Sequence, residues 1–491
     1  MKKSFYLGMV LALLCPALRA GTPTIVQYKS DGQMDTTTAN IQIYLPEPTP
    51  VAGNMLFFVC TSGITSQTMT VSDSTAGSNT WVAGPSQNDS TNTQTMLSAY
   101  ALNVASGTQW VKAAFGSTGN AKNQCQLFEY FNIPTSSATD GTSSGNVANG
   151  TVTSGSITTG TSGDLIIQAA YCTSCSHPVT SPYTWTAGTG FQLRTADGAS
   201  AFAVQDEIQA SAGAISPTMT LGVGGGGSIT AVQTIAIAFK PGSAGGNFAS
   251  GIHVLSIQNI NLPSHLIRTS GLGTLTLQYP TFGNAIAFNW NGAPSGEPTI
   301  TSSPSNTWTT HKSCANGNSN NDEECWWPVQ NPSVASTMTV TGTYSSSQLD
   351  TSAVMVDMTG ASTSSLFDTA MTNCSGSLSA TSGTVTCNNS ITPAAANELM
   401  LGASQEQGNT VSTGTPGNFA AERVDGYSNN TADKDEGVFT YITPSTSAIT
   451  PTITFVNTEG STQVQSWWAE YILLKPAGAA AASPHGNAIN F

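Results

Sequence analysis

Four acidic positions recur in matching places in the two halves of the sequence: Glu129 with Asp357, Asp140 with Asp368, Asp164 with Glu398, and Asp197 with Asp425. Paired carboxylates are the working groups of glycoside hydrolysis, but that chemistry depends on their separation across a substrate, which a sequence does not show. Duplicated Asp residues in Ser/Thr-rich turns more readily serve the fold, because Asp caps turns and accepts backbone N–H bonds. A structural role is the expected reading for all four pairs. Histidine offers less. His177, His253, His265, His311 and His485 form no HExxH pair, and there is neither a GxSxG elbow nor a phosphate-cradling glycine loop. Gly224–Gly227 lies among strand and turn residues and reads as a hairpin loop. No catalytic residue is assigned.

Two loops gather hard oxygen ligands of the kind calcium prefers: Asn316–Glu324, which holds Asp322 and Glu324, and the run Asp433-Lys434-Asp435-Glu436. Neither has the spacing of an EF-hand loop, so solvated acidic loops are expected, with calcium the one cofactor left open. Trp326-Trp327 follows Cys325 beside the first loop. Neighbours on a strand face opposite ways, so one indole is expected in the core and one at a rim, where it could stack on a sugar. Trp467-Trp468 carries the same expectation. Trp81 and Trp308 occupy equivalent places in the two halves and read as core.

Apart from Cys15 there are eight cysteines, four in each half: Cys60, Cys125, Cys172, Cys175, Cys314, Cys325, Cys374 and Cys387. An even number suits disulfides formed in an oxidising compartment. The expected bridges are Cys60–Cys125 between strands and the local pairs Cys314–Cys325 and Cys374–Cys387. Cys172 and Cys175 could close a small loop or stay reduced. Zinc at Cys172, Cys175 and His177 is the rival reading, but structural zinc wants a second Cys or His pair and no second CxxC exists.

Oxidation implies export, and residues 1–20 read as the signal: basic Lys2 and Lys3, an apolar run Phe5–Leu14, and small residues at Ala17–Ala20. The run is too short for a transmembrane span, and no later stretch is long and apolar enough to cross a bilayer as a helix. Removing the signal leaves 10 basic against 27 acidic residues, a net charge of −17. Nucleic acid and anionic membranes are poor partners for such a chain, since both require clustered Lys and Arg. Charged residues make up only 8% of the sequence, against about 25% in ordinary soluble domains. Gly, Ser, Thr and Asn fill the difference and favour strands and turns over helices.

The elements that must position these residues form an internal repeat. Gly53-Asn54 opens Met55-Leu56-Phe57-Phe58, and Gly283-Asn284 opens Ala285-Ile286-Ala287-Phe288. Ser78-Asn79-Thr80-Trp81 recurs as Ser305-Asn306-Thr307-Trp308, Leu127-Phe128-Glu129-Tyr130 as Met355-Val356-Asp357-Met358, and Lys240-Pro241 as Lys475-Pro476. Several matched pairs share an offset of 228. The repeat divides the chain into a signal (1–20), a first copy (21–242), a small-residue linker (243–251), a second copy (252–478) and a tail (479–491). Short alternating runs such as Ile41-Gln42-Ile43-Tyr44, bounded by turn residues, predict an all-β fold of two tandem β-sandwich domains, jelly-roll or Ig-like. About 225 residues per copy is large for a sandwich of about 100, so each copy is a decorated jelly roll or two small sandwiches.

The Gly-Asn strand start, Ser-Asn-Thr-Trp, the Leu-Phe-Glu-Tyr strand and the closing Lys-Pro resemble tandem β-sandwich modules of bacterial exported and cell-surface proteins. The resemblance implies adhesive, structural or carbohydrate-binding roles and transfers no catalytic residue. The expected function is that of a non-enzymatic secreted or cell-surface structural or adhesive protein, self-assembling through strand edges, with itself or surface glycans as partners. The alternative is a carbohydrate-binding protein or polysaccharide hydrolase on a jelly roll. The tail, ending Gly486-Asn487-Ala488-Ile489-Asn490-Phe491, reads as a loose terminus, with strand addition to a neighbouring molecule as its sharper alternative.

Overall fold

Short β-branched and aromatic runs bounded by Gly, Asn and Ser become strands, and no helix occurs among the described residues. The computed structural model describes residues 21–477 other than 31–38, 76, 118–122, 173–174, 177–182, 198–201, 224–227, 249, 262–273, 280–282, 293–298, 309–314, 317–322, 334–337, 344–350, 379–382, 388, 408–409, 416–433 and 457–464. The expected signal and tail lie outside the described residues. No described helix is long and apolar enough to cross a membrane.

Strands matched by the repeat occupy matched places in one sheet. In the first copy Thr24–Ser30, Gln124–Phe131, Asn54–Ser62, Gln94–Val104 and Trp81–Ala83 lie side by side in that order. In the second, His253–Asn261, Thr351–Thr359, Ala285–Gly292, Glu323–Gln330 and Ala315–Asn316 do the same. The two series meet at their first strands, which pair in parallel with Tyr28 opposite Ser256 and Lys29 opposite Ile257. With Gln87–Asp89, which also pairs with Gln94–Val104, the result is one eleven-stranded sheet. Both first strands carry a bulge at matching places, between Ile25 and Gln27 and between Val254 and Ser256.

Layers cover this sheet on both faces, so Asn54–Ser62 is buried at every residue rather than at alternate ones. Phe57, Val59, Phe128 and Tyr130 pack against Leu165, Ile167, Phe202, Ile235 and Phe239 of a five-stranded sheet running from Thr139–Val147 to Gln192–Asp197. Leu56, Phe58, Cys60 and Leu127 point the other way, onto the three-stranded sheet of Asn40–Tyr44, Trp110–Phe115 and Met69–Asp73. In the second copy Ala287, Val354, Val356 and Met358 pack against Leu399, Leu401, Ile472 and Leu474 of a four-stranded sheet running from Phe367–Leu378 to Lys434–Ile442. Beyond each of these second sheets lies a further small one, joined through Val152, Trp185, Met219 and Leu221 in the first copy and Val385 and Ile453 in the second.

The faces are exchanged between copies. Tyr44, from the small sheet of the first copy, packs into the core that underlies the four-stranded sheet of the second. Thr440 Oγ1 donates to the Pro46 carbonyl at 2.7 Å on the same side. On the opposite face Gln192–Asp197 packs beside Thr274–Tyr279, which belongs to the small sheet of the second copy. A two-fold axis along the strands, the relation that joins parallel equivalent strands whose series run outward in the same order, produces this arrangement.

Segment 243–251, expected as a linker, is held along the first copy. Asn54 Oδ1 accepts the Gly246 N–H at 2.8 Å and Asn54 Nδ2 donates to the Gly246 carbonyl at 3.0 Å, while the Asn132 N–H donates to the Ala244 carbonyl at 2.8 Å. Gly53 has φ of 100°, and a Cβ there would come within 2.8 Å of the Gly245 nitrogen, so both the turn and the close approach call for glycine. In the second copy Asn284 makes the same two-way contact with Ala361, at 3.0 and 2.7 Å.

Cys60 and Cys125 stand opposite each other on neighbouring strands and are joined, and Cys374 is joined to Cys387, as expected. Cys172 is also disulfide-bonded, which removes its thiolate from any zinc site. Cys175 lies in the strand Cys175–Ser176 and Cys325 in Glu323–Gln330, whereas Cys314 lies outside the described residues. The Cys60–Cys125 bridge spans 65 residues, for which loop-closure entropy gives a stabilisation of about 4 kcal/mol. Replacing both residues by Ala should lower the unfolding free energy by about that amount in guanidinium titrations. A loss below about 1 kcal/mol would show that the bridge does not constrain the unfolded chain.

Candidate functional site

The acidic residues singled out by the repeat come together in pairs. Asp140 lies in the edge strand Thr139–Val147 and Asp164 opens Asp164–Cys172. Both oxygens of Asp164 are buried without an N–H or hydroxyl donor, and its carboxyl contacts that of Asp140. Two carboxyls meet in this way only with a proton between them. Asp140 Oδ2 accepts the N–H groups of Gly160 at 2.7 Å and Thr161 at 3.0 Å, and Lys240 Nζ stands 3.8 Å from Oδ1. Burial, then the bond to Asp140 and its charge, push Asp164 up to about 7. Burial also works to raise Asp140, but the bonds from Asp164, Gly160 and Thr161 and the charge of Lys240 outweigh it and hold Asp140 below the usual carboxylate range.

The second copy rebuilds the unit. Asp368 Oδ2 accepts the Ala394 N–H at 2.7 Å, and burial followed by contact with Asp368 pushes Glu398 up to about 7. Ala394 precedes Glu398 by the same four positions that separate Gly160 from Asp164. The turns match as well: Gly163 has φ of 85° and Asn397 has φ of 64°, a conformation that Gly and Asn adopt at least cost. Lys240 N–H donates to the Ala138 carbonyl and Lys475 N–H to the Leu366 carbonyl, each at 2.7 Å. The closing Lys-Pro thus fixes a cation near each carboxyl pair.

Glu129 and Asp357, the third duplicated pair, sit on opposite faces of the shared sheet. Glu129 is fully buried and accepts from Asn54 Nδ2 at 2.5 Å and Gln27 Nε2 at 2.7 Å. Burial pushes it up to about 7 despite those bonds. Gln27 Oε1 in turn accepts the Glu47 N–H at 2.8 Å, and Glu47 reaches across the copies to the Val254 N–H at 2.6 Å and His253 Nδ1 at 2.9 Å. Asp357 accepts the Gly283 N–H at 2.9 Å and lies near Tyr28, whose hydroxyl titrates well above its usual range through burial and then that charge. Asp197 ends the strand Gln192–Asp197, and Asp425 lies outside the described residues.

Trp326 and Trp327 do not form a sugar platform. Trp326 is 0% exposed and Trp327 is 3% exposed, so the expectation of a rim-exposed indole at this pair is corrected. The shared sheet is covered on both faces, and either direction from the strand leads into a core. Trp81 and Trp308 are half-buried and packed edge-on against equivalent residues, Phe58 at 6.4 Å and Phe288 at 6.0 Å. Trp467 and Trp468 lie in the strand Gln465–Leu474, their side chains outside the described set. Asp322 and Asp433 lie outside the described residues, and Glu324 and Asp435 are placed only as strand positions, opposite Asn291 and Glu406. Among the described residues no group of three or more His, Cys, Asp or Glu could hold a metal ion. His253 is engaged with Glu47 and stacked on Phe248 at 4.7 Å, and the other four histidines lie outside the described residues.

An acid raised to about 7 beside one held low is the electronic arrangement of a general acid–base pair. Here the raised member is fully buried in both copies, Asp164 and Glu398 alike, with no face open to a substrate. What the arrangement can do is take up and release protons. Sequence reasoning missed Gln27, Glu47, His253 and the buried ion pair Arg194–Asp206 at 2.9 Å, with the Tyr130 hydroxyl donating to Asp206 at 2.7 Å. Among the described residues none of these contacts recurs in the second copy, so the repeat gives no sign of them there. Comparison with known proteins finds no matching family model, curated protein or solved structure.

Asp164, Glu398 and Glu129 bind protons near pH 7 when folded and near pH 4 when unfolded, so the folded chain holds more protons between those values. The stability they contribute is complete below about pH 4 and is lost as pH rises through about 7. The denaturation midpoint should therefore fall steadily from pH 5 to 8 and flatten above. Asp164→Asn combined with Glu398→Gln should make that slope shallower, since an amide donates to Asp140 or Asp368 at any pH. A midpoint that climbs towards pH 8 would contradict the assignment.

Proposed function

We propose that this chain is a non-enzymatic, exported structural or adhesive protein of the extracellular space or cell surface, built from two tandem β-sandwich copies and self-assembling through strand edges. The observation that carries the reading is the edge strand Thr139–Val147. Among the described residues it pairs on one side only, with Val232–Phe239, and Thr142, Ser144 and Asn146 are exposed along it. Edges are normally guarded by charge, proline or a covering element, because unpaired N–H and C=O groups recruit other strands. Oxidised cysteines support export, as does the sequence pattern of residues 1–20. Burial of Asp164 and Glu398 argues against hydrolysis at the duplicated acids, and burial of Trp326 and Trp327 argues against sugar stacking there. Itself is the favoured partner.

Light scattering and negative-stain microscopy of the mature protein test the reading. The expected result is an apparent mass that rises with concentration well above that of one chain. A monomer at every concentration, with no adherence to surfaces, would overturn it.

A further inference from the structure

The second copy buries polar groups where the first has hydrocarbon. Counting from the matched strand openings Asn54 and Asn284, Asn289 stands where the first copy has Val59. Counting back from the matched Lys240 and Lys475, Glu470 stands where it has Ile235. Val59 and Ile235 belong to the apolar core beneath the five-stranded sheet. Their replacements face the core beneath the four-stranded sheet, since Asn289 follows Ala287 by two residues on its strand and Glu470 precedes Ile472 by two. Asn289, Glu470 and Trp326 are each 0% exposed. Trp326 stands opposite Asn289 on the neighbouring strand, and the Glu470 carboxyl lies beside the Trp326 backbone N–H. Yet Asn289 Oδ1 and Nδ2, both Glu470 oxygens and Trp326 Nε1 have no hydrogen-bond partner. Buried polar atoms are almost always paired, so this group calls for an occupant that meets them.

We propose that Glu470 and Asn289 hold a divalent cation of the calcium type between the two sheets of the second copy. The carboxyl oxygens of Glu470 and Oδ1 of Asn289 are hard ligands, and calcium takes such ligands together with waters. The remaining groups, Trp326 Nε1–H and Asn289 Nδ2–H, are donors and suit the oxygens of waters bound to the ion. Water alone would serve a neutral polar side chain equally well, whereas an acid gains most from a cation. Burial drives Glu470 well above the usual carboxylate range, the Trp326 N–H offsets this only in part, and among the described residues no Lys or Arg neutralises it. A cation displaces the proton and leaves a paired charge where a buried acid stood alone. A chain with 27 acidic and 13 basic residues also draws cations from its surroundings. The first copy, with Val59 and Ile235, has no counterpart of this site. The site is independent of the self-assembly reading.

Thermal unfolding of the full mature chain, in EDTA and in calcium chloride at matched ionic strength, tests the site. Wild type is compared with Glu470→Ile combined with Asn289→Val, which restores the residues of the first copy. A site with so few protein oxygens should bind at about 10⁻⁴–10⁻³ M, so calcium at about 10 mM should raise the wild-type melting temperature by roughly 3 °C or more. The double variant should melt at one temperature with and without calcium, at or above wild type in EDTA, because it no longer buries unpaired polar groups. Glu470→Gln, which keeps the shape and loses the carboxylate, repeats the test should the double variant fail to fold, and it too should lose the response. A wild type indifferent to calcium would overturn the site, leaving a proton or water as the occupant. An equal rise in the folded variants would also overturn it, by placing the ion elsewhere on the chain.

Discussion

Parallel pairing between Tyr28-Lys29 and Ser256-Ile257 is the contact on which the rest of the molecule depends. Equivalent strands that lie parallel and adjacent, with the rest of each series running outward from them in the same order, imply a two-fold axis along their length, and such a rotation carries one face of the sheet onto the other. A residue and its repeat equivalent then point to opposite faces, so they cannot be lateral neighbours. The registration obeys this: Tyr28, whose equivalent by the matched bulges is Ile257, stands opposite Ser256 instead. Tyr28 faces the core beneath the five-stranded sheet and Ile257 the core beneath the four-stranded one.

From the overturned sheet follow the layers and the polar contacts. Each face receives the small sheet of one copy and the large second sheet of the other, which covers both inner edges and leaves both outer ones. Glu129 and Asp357 are carried to opposite faces, where one meets Gln27 and Asn54 and the other Gly283 and Tyr28. Glu47 closes the seam by accepting from Val254 and His253, giving the buried junction directional bonds as well as apolar packing. The duplicated carboxyl pairs sit away from this seam, at the first residues of the outer edges.

Much of this was legible in the sequence because duplication marks it twice. The strand openings at Asn54 and Asn284, the edge-on Trp81 and Trp308, the closing Lys-Pro pairs and the bridge Cys60–Cys125 were all visible as matched or paired residues. Asp140 and Asp368 accept turn N–H groups, as Asp in a turn is expected to, but the joining of each with Asp164 or Glu398 needed the turn geometry at Gly163 and Asn397. The shared sheet was not legible, since pairing between copies leaves no local pattern and parallel neighbours can be distant in the chain. The same covering layers explain Trp326 and Trp327: alternation predicts opposite faces for them, and here both faces are interior. The docking of segment 243–251 was hidden because Gly and Ala there look like a flexible spacer, whereas their smallness permits close approach to Asn54.

Native-state hydrogen exchange at increasing denaturant, read by mass spectrometry, tests the joined sheet most directly. If the first strands of the two copies form its continuous centre, amides of Thr24–Ser30 and His253–Asn261 should open together, at the free energy of global unfolding. Exchange of either strand well before its own core, or separate opening of the two copies with independent free energies, would contradict the account.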